Sequence, residues 1–84
     1  MSVYYITFRS VTLAQRGEGV LQKNGVRCAL QRTPRWMEEQ GCGYCLRLRT
    51  EEIGSAAQLL RSNQIQFRKI YIQRPEGDVE EVTA

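Results

Sequence analysis

VYYITFRSVTLAQRGEGVLQKNGVRCALQ, residues 3–31, changes its hydrophobic period twice. Residues 3–8, VYYITF, are mostly β-branched or aromatic and predict a buried strand. Alternation puts Tyr4, Ile6 and Phe8 on one face, and Val3, Tyr5 and Thr7 on the other. Ser10 suits a helix N-cap. Leu13, Gly17, Val20 and Leu21 then recur at helical spacing, and Asn24-Gly25 provides a left-handed C-cap. Gly17 and Gly19 both lower helix propensity. Gly17 lies on the apolar face, where a missing side chain lets helix and sheet approach closely. VRCALQ, residues 26–31, returns to alternation, with Val26, Cys28 and Leu30 opposed to Arg27, Ala29 and Gln31.

The pattern then repeats in outline. Thr33-Pro34 ends the second strand, because proline has no N–H for the ladder. A connection follows with Trp36 and Met37 as its apolar anchors. In YCLRLRT, residues 44–50, Tyr44, Leu46 and Leu48 share one face, while Cys45, Arg47 and Arg49 share the other. Thr50 caps a second helix whose first turn holds Glu51 and Glu52. Ile53, Ala56, Ala57 and Leu60 form its apolar stripe, and Ser62-Asn63 ends it. IQFRKIYI, residues 65–72, is the last strand, broken by Pro75-Glu76-Gly77.

This order predicts an α+β fold: a ferredoxin-like two-layer sandwich, βαββαβ, with a four-stranded antiparallel sheet and two helices on one face. The expected strand order is 4-1-3-2, with strands 1 and 3 central. Residues 1–75 read as a single domain, and 76–84 as an acidic, flexible tail. No sequence repeat is visible between the halves.

The chain has 84 residues, which suffices for one domain with a modest core. No apolar run approaches the ~20 residues a membrane helix needs. The opening MSVYYITFRS lacks the charged-then-apolar layout of a signal peptide, so a cytoplasmic location is expected. Net charge is +3 but uneven. Glu76, Asp78, Glu80 and Glu81 fall among the last nine residues without a base. The remainder holds 12 bases against 5 acids, which favours an anionic or acidic partner.

Histidine is absent, which excludes a Cys/His zinc finger, a Ser-His-Asp triad and a Cys-His pair within one chain. The three cysteines are an odd number, a poor basis for a disulfide framework. Cys28, between Val26 and Leu30, reads as a small buried hydrophobe. Cys42 differs, because it stands between Gly41 and Gly43 on an open backbone. Cys45 opens the third strand and faces away from the helices. The thiolate is the nucleophile and the metal ligand, and nearby cations or a C-x-x-C context lower a thiol pKa from about 8.5 to about 7 or below. Arg32, Arg35, Arg47 and Arg49 are near in sequence.

Three chemistries fit Cys42-Gly43-Tyr44-Cys45. One is carriage of sulfur or selenium as a persulfide or selenide. Another is dithiol-disulfide exchange, for which C-x-x-C is the usual spacing, although here the motif precedes a strand rather than opening a helix. The third is zinc, for which two cysteines are half a site that only a dimer axis could complete. No metal or cofactor is expected.

YYITFRSVTLAQRGEGVLQKNGVRCALQRTPR followed by CGYCLRL resembles the small selenium/sulfur carrier protein-like family, over about residues 4–72. Thr33-Pro34-Arg35 with Cys42-Gly43 carries the most specific part of the resemblance. The family's cysteine and glycine fall on Cys42 and Gly43, and its Pro-Arg on Pro34 and Arg35. WMEEQG, residues 36–41, is slightly longer and more acidic than the family's Ser-rich version, and Cys45 lies outside the family pattern. The resemblance implies a carrier in which Cys42 holds the chalcogen and Cys45 is a candidate resolving thiol. Arg35, Arg47, Arg49, Pro34 and Gly43 would stabilise the thiolate or meet a partner. The implied partners are a sulfur or selenium donor protein and an acceptor protein.

Other readings are weaker. A binding module would use the outer sheet face, with Tyr5, Thr7, Arg27, Arg47 and Arg49, for single-stranded RNA or a protein. That face has one aromatic on its two central strands and lacks the usual RNA-binding signature, so nucleic acid is disfavoured. Tyr5 and Val3 would also suit a homodimer. A stand-alone enzyme is disfavoured by the lack of histidine and of a phosphate-cradling glycine loop.

Overall fold

The computed structural model describes residues 3–33, 43–49 and 53–82. Its elements are β1 Val3–Phe8, α1 Val11–Lys23, β2 Cys28–Arg32, β3 Tyr44–Leu48, α2 Ile53–Ser62, β4 Ile70–Gln73 and β5 Val79–Val82. The strands form one antiparallel sheet in the order β2-β3-β1-β4-β5. The first four strands take the expected order, with β1 and β3 flanked on both sides.

Local chemistry accounts for the element ends. Ser10 is extended, and its Oγ accepts the Leu13 N–H at 3.2 Å, which caps α1. At the other end, Val26 N–H donates to Leu21 C=O at 2.8 Å and Gly25 N–H to Gln22 C=O at 3.1 Å, with Gly25 at φ +83°. This paired closure satisfies carbonyls that the helix leaves open. The closure recurs on α2: Ile65 N–H donates to Leu60 C=O at 2.9 Å and Gln64 N–H to Arg61 C=O at 3.0 Å, with Gln64 at φ +60°. The Asn24 and Asn63 side-chain amides donate to Val20 and Leu59 carbonyls, each at 2.8 Å. VLQKNGV (20–26) and LLRSNQI (59–65) thus close their helices in the same way. The turn position is glycine in one and glutamine in the other.

These closures also move the strand starts. β2 begins at Cys28 rather than Val26, and β4 at Ile70 rather than Ile65, because the Val26 and Ile65 N–H groups close the preceding helices. Thr50, Glu51 and Glu52, expected to start α2, lie outside the described residues.

One face of the sheet carries the main core. Ile6, Phe8, Leu46, Leu48 and Ile70 pack against Ala14 and Leu21 of α1 and Ala56, Ala57 and Leu60 of α2. Both helices therefore cover the same face. The expected close approach at Gly17 is present: a methyl there would lie 3.1 Å from Phe8 Cζ and 3.3 Å from Leu60 Cδ2. On the opposite face, Tyr5 and Cys45 form a smaller cluster with Val3 and Tyr71.

The sheet has five strands where four were expected, and the fifth comes from the stretch assigned to the acidic tail. Pro75-Glu76-Gly77 makes a hairpin turn instead of ending the fold. Gly77 sits at φ +103° and donates to Arg74 C=O at 2.8 Å, while Arg74 N–H donates to Asp78 C=O at 2.9 Å. Glu80 meets Arg74 at 3.1 Å and Glu81 meets Lys69 at 3.7 Å. Glu80 and Glu81, two of the acids that suggest a solvated tail, thus pair with bases that flank β4. Val82 packs at the margin of the core. No helix among the described residues is long and apolar enough to cross a membrane.

The register defines two ends of the sheet. At one, β2 and β1 finish and β3 and β4 begin, since Tyr44 pairs with both Arg32 and Phe8. The start of α1 and the finish of α2 belong to that same end. The connection containing Cys42 leaves and re-enters there.

Candidate functional site

The site is built on the β2–β3 pair. Its register runs from Cys28 opposite Leu48 to Arg32 opposite Tyr44. One step further, Thr33 N–H donates to Gly43 C=O at 3.1 Å. The hairpin is thus closed up to Thr33 and Gly43. Pro34, Arg35 and Cys42 lie outside the described residues.

Gly43 has a packing reason for its lack of a side chain. A methyl there would come within 3.1 Å of Thr33 Oγ1 and 3.9 Å of the Phe8 carbonyl oxygen. Gly43 therefore sits between the end of β2 and the end of β1. The sequence marks Thr33 as a strand end before proline and as part of the family resemblance, but not as a neighbour of Gly43 and Cys45. Thr33 Oγ1 is buried and has no hydrogen-bond partner of ordinary geometry among the described residues.

Cys45 faces away from the helices, as alternation predicts, yet that face does not expose it to water. Its side chain is fully buried with Tyr5, Val3 and Tyr71. Its Sγ lies 4.0 Å from the Arg32 carbonyl oxygen. Burial pushes the thiol up to about 11, against a smaller lowering by the Thr33 hydroxyl. The physical reason is position: β3 is an interior strand, and the Cys45 neighbours in register are Gln31 and Thr7. Desolvation penalises the charged form more than distant cations can favour it.

Arg47 lies on the same face two residues along, opposite Tyr5 and Ala29, and is half-buried. Arg49 is exposed beyond the end of β3. Arg47 and Arg49 extend from Cys45 away from the Gly43 end of the strand.

Cys28 is half-buried against the main core, with Sγ 3.9 Å from the Glu18 carbonyl oxygen. Burial, then the Glu18 charge, raises it to about 11. Cys28 and Cys45 stand on opposite faces of the sheet, one with each apolar cluster. Among the described residues no group of three or more His, Cys, Asp or Glu side chains is placed to hold a metal ion.

Comparison with curated proteins and with solved structures finds no match. A family model described as "Putative Se/S carrier protein-like" matches residues 3–72. The match runs from the first residue of β1 into β4, taking in both helices and the connection that bears Cys42-Gly43. The chain therefore belongs to the selenium/sulfur carrier protein-like family.

Proposed function

We propose that this protein carries sulfur or selenium on Cys42, within a ferredoxin-like frame extended by one strand. The Cys42 thiolate attacks the outer chalcogen of a donor's persulfide. The donor's S–S bond breaks, a new S–S bond forms on Cys42, and the donor's inner sulfur leaves as a thiolate. Transfer to an acceptor thiolate reverses these roles, so no external oxidant or reductant enters. Selenium follows the same steps as a perselenide.

The observation that supports this reading is family membership through a match that includes Cys42-Gly43. Gly43, the residue that follows Cys42 in the chain, is bonded to Thr33. Of the described cysteines, Cys45 and Cys28 are held as thiols by burial, and neither suits the carrier role. That also disfavours dithiol exchange between Cys42 and Cys45, which requires both sulfurs to be reached. Arg35, beside Pro34, is proposed to stabilise the Cys42 thiolate, and Arg47 and Arg49 to meet the partner protein. A reducing, cytoplasmic setting suits a single working thiol.

The test is intact-mass spectrometry after incubation with a purified cysteine desulfurase and cysteine. One added sulfur atom on wild type, Cys28→Ala and Cys45→Ala, lost in Cys42→Ser, is the expected result. An adduct that persists in Cys42→Ser removes the proposal.

A further inference from the structure

A second feature occupies the same end of the sheet as Gly43 and is not used by chalcogen carriage. Arg9 follows β1, Arg61 lies in the last turn of α2, and residues 64–69 lead into β4. Together they line an open groove of about 790 Å³, within the range of small-molecule sites. Its walls are fixed by backbone bonds. Ile65 is tied to Leu60, Arg68 N–H donates to Thr7 C=O at 2.7 Å, and Lys69 N–H donates to Thr7 Oγ1 at 3.0 Å.

The charged side chains among the described residues that line this groove are basic. Arg9, Arg61, Arg68 and Lys69 line it, and no carboxylate does so among its described residues. Lys69 also reaches Glu81 at 3.7 Å, between partly exposed side chains. Cations gathered round a concavity repel one another and raise the local concentration of anions. Three of the four are arginines, whose planar forks match phosphate oxygens in pairs.

Two further details select a ligand with a flat ring. The Arg61 guanidinium lies over the Phe67 ring, 5.3 Å from its centre. The guanidinium and the ring are both planar groups of the kind on which bases stack. Gln64 also lines the groove, at φ +60°. The equivalent position after α1 is Gly25, which adopts that conformation without a Cβ penalty. Strain of this kind gathers where a side chain is needed. Glutamine adds an amide donor and acceptor suited to the edge of a base.

We infer that this groove binds a nucleoside phosphate, its phosphates on Arg9, Arg68 and Lys69 and its ring beside Phe67 and Arg61. The site stands independently of the chalcogen chemistry at Cys42. The nucleotide is either free or one residue of an RNA strand, and the two sources share this recognition.

Titration calorimetry on the full chain at fixed ionic strength tests it, with ATP, inorganic pyrophosphate, a uridine decamer and a hexaglutamate peptide as probes. ATP or the decamer binds, and Arg9→Gln or Arg68→Gln weakens binding about tenfold. Whichever of the two binds more tightly identifies the source. Gln64→Gly keeps or raises the melting temperature yet weakens binding severalfold. Phe67→Leu reduces affinity for ATP but not for pyrophosphate, and because Phe67 also packs on the core, the exposed Arg9→Gln carries the test if that variant does not fold. Arg27→Gln, at the opposite end of the sheet, removes the same charge without effect. The inference is overturned if neither ATP nor the decamer binds, if Arg27→Gln weakens binding as much as Arg68→Gln, if pyrophosphate equals ATP, or if hexaglutamate binds as tightly as either nucleotide probe.

Discussion

Thr33 and Gly43 meet across the base of the β2–β3 connection: their backbones bond at 3.1 Å, and a methyl on Gly43 would stand 3.1 Å from Thr33 Oγ1. Gly43→Ala must displace the Thr33 side chain and is expected to cost about 1–2 kcal/mol. Thr33→Ala in the same background removes the obstacle. Thermal melts of the two single variants and the double variant should show a favourable coupling of at least about 0.5 kcal/mol. Additive effects would mean that the two residues do not constrain each other.

The described thiols set a pH dependence. Cys45 and Cys28 are both raised to about 11 from an ordinary value of 9.0. The folded state therefore favours the protonated thiol. Stability from this source is complete below about pH 9 and is lost as pH rises towards 11. For fully buried Cys45 the loss is about 2–3 kcal/mol. Denaturant titrations should show this decline in wild type and a shallower one in Cys45→Ala. Iodoacetamide at pH 8 should leave Cys45 unmodified in the folded protein and label it after unfolding; rapid labelling of the native chain contradicts its burial.

Gly17 and Gly19 are two residues apart on α1 and should respond oppositely. A methyl at Gly19 meets nothing within 4 Å, so Gly19→Ala gains helix propensity worth about 1 kcal/mol, or about 4–8 °C in melting temperature. Gly17→Ala has the same propensity gain, but its methyl lies 3.1 Å from Phe8 Cζ and 3.3 Å from Leu60 Cδ2. Overpacking costs about 1–3 kcal/mol, so this variant should be neutral or destabilised. A Gly17→Ala protein as stable as Gly19→Ala would show that Phe8 moves aside freely.

β5 is expected to contribute to stability despite its acidic, exposed sequence. A chain ended after Gly77 loses its ladder with β4 and the packing of Val82. The expected cost is about 1–2 kcal/mol. It also leaves β4 as an unpaired edge, which favours association between chains. Melting curves and light scattering read the two effects. An unchanged melting temperature with no association would place β5 outside the cooperative unit.

Much of this protein is legible locally. Alternation in residues 3–8 and 44–48 separates Tyr4, Ile6 and Phe8 from Tyr5, and Leu46 and Leu48 from Cys45. Helical spacing finds both apolar stripes, and the strand-helix-strand order fixes which strands are central. Such features follow from the nearest few residues, because side-chain direction has a period of two in strands and 3.6 in helices.

Tertiary packing decided the rest. Alternation gives Cys45 a face, but only the strands beside it and the cluster with Tyr5, Val3 and Tyr71 remove it from water and raise its pKa. Composition makes residues 79–82 look solvated, whereas pairing with β4 brings Glu80 and Glu81 to Arg74 and Lys69. Arg9, Arg61 and Arg68 are scattered bases along the chain and one groove in the fold. Burial and electrostatic fields sum over neighbours brought together from distant positions, and a local pattern carries no record of them.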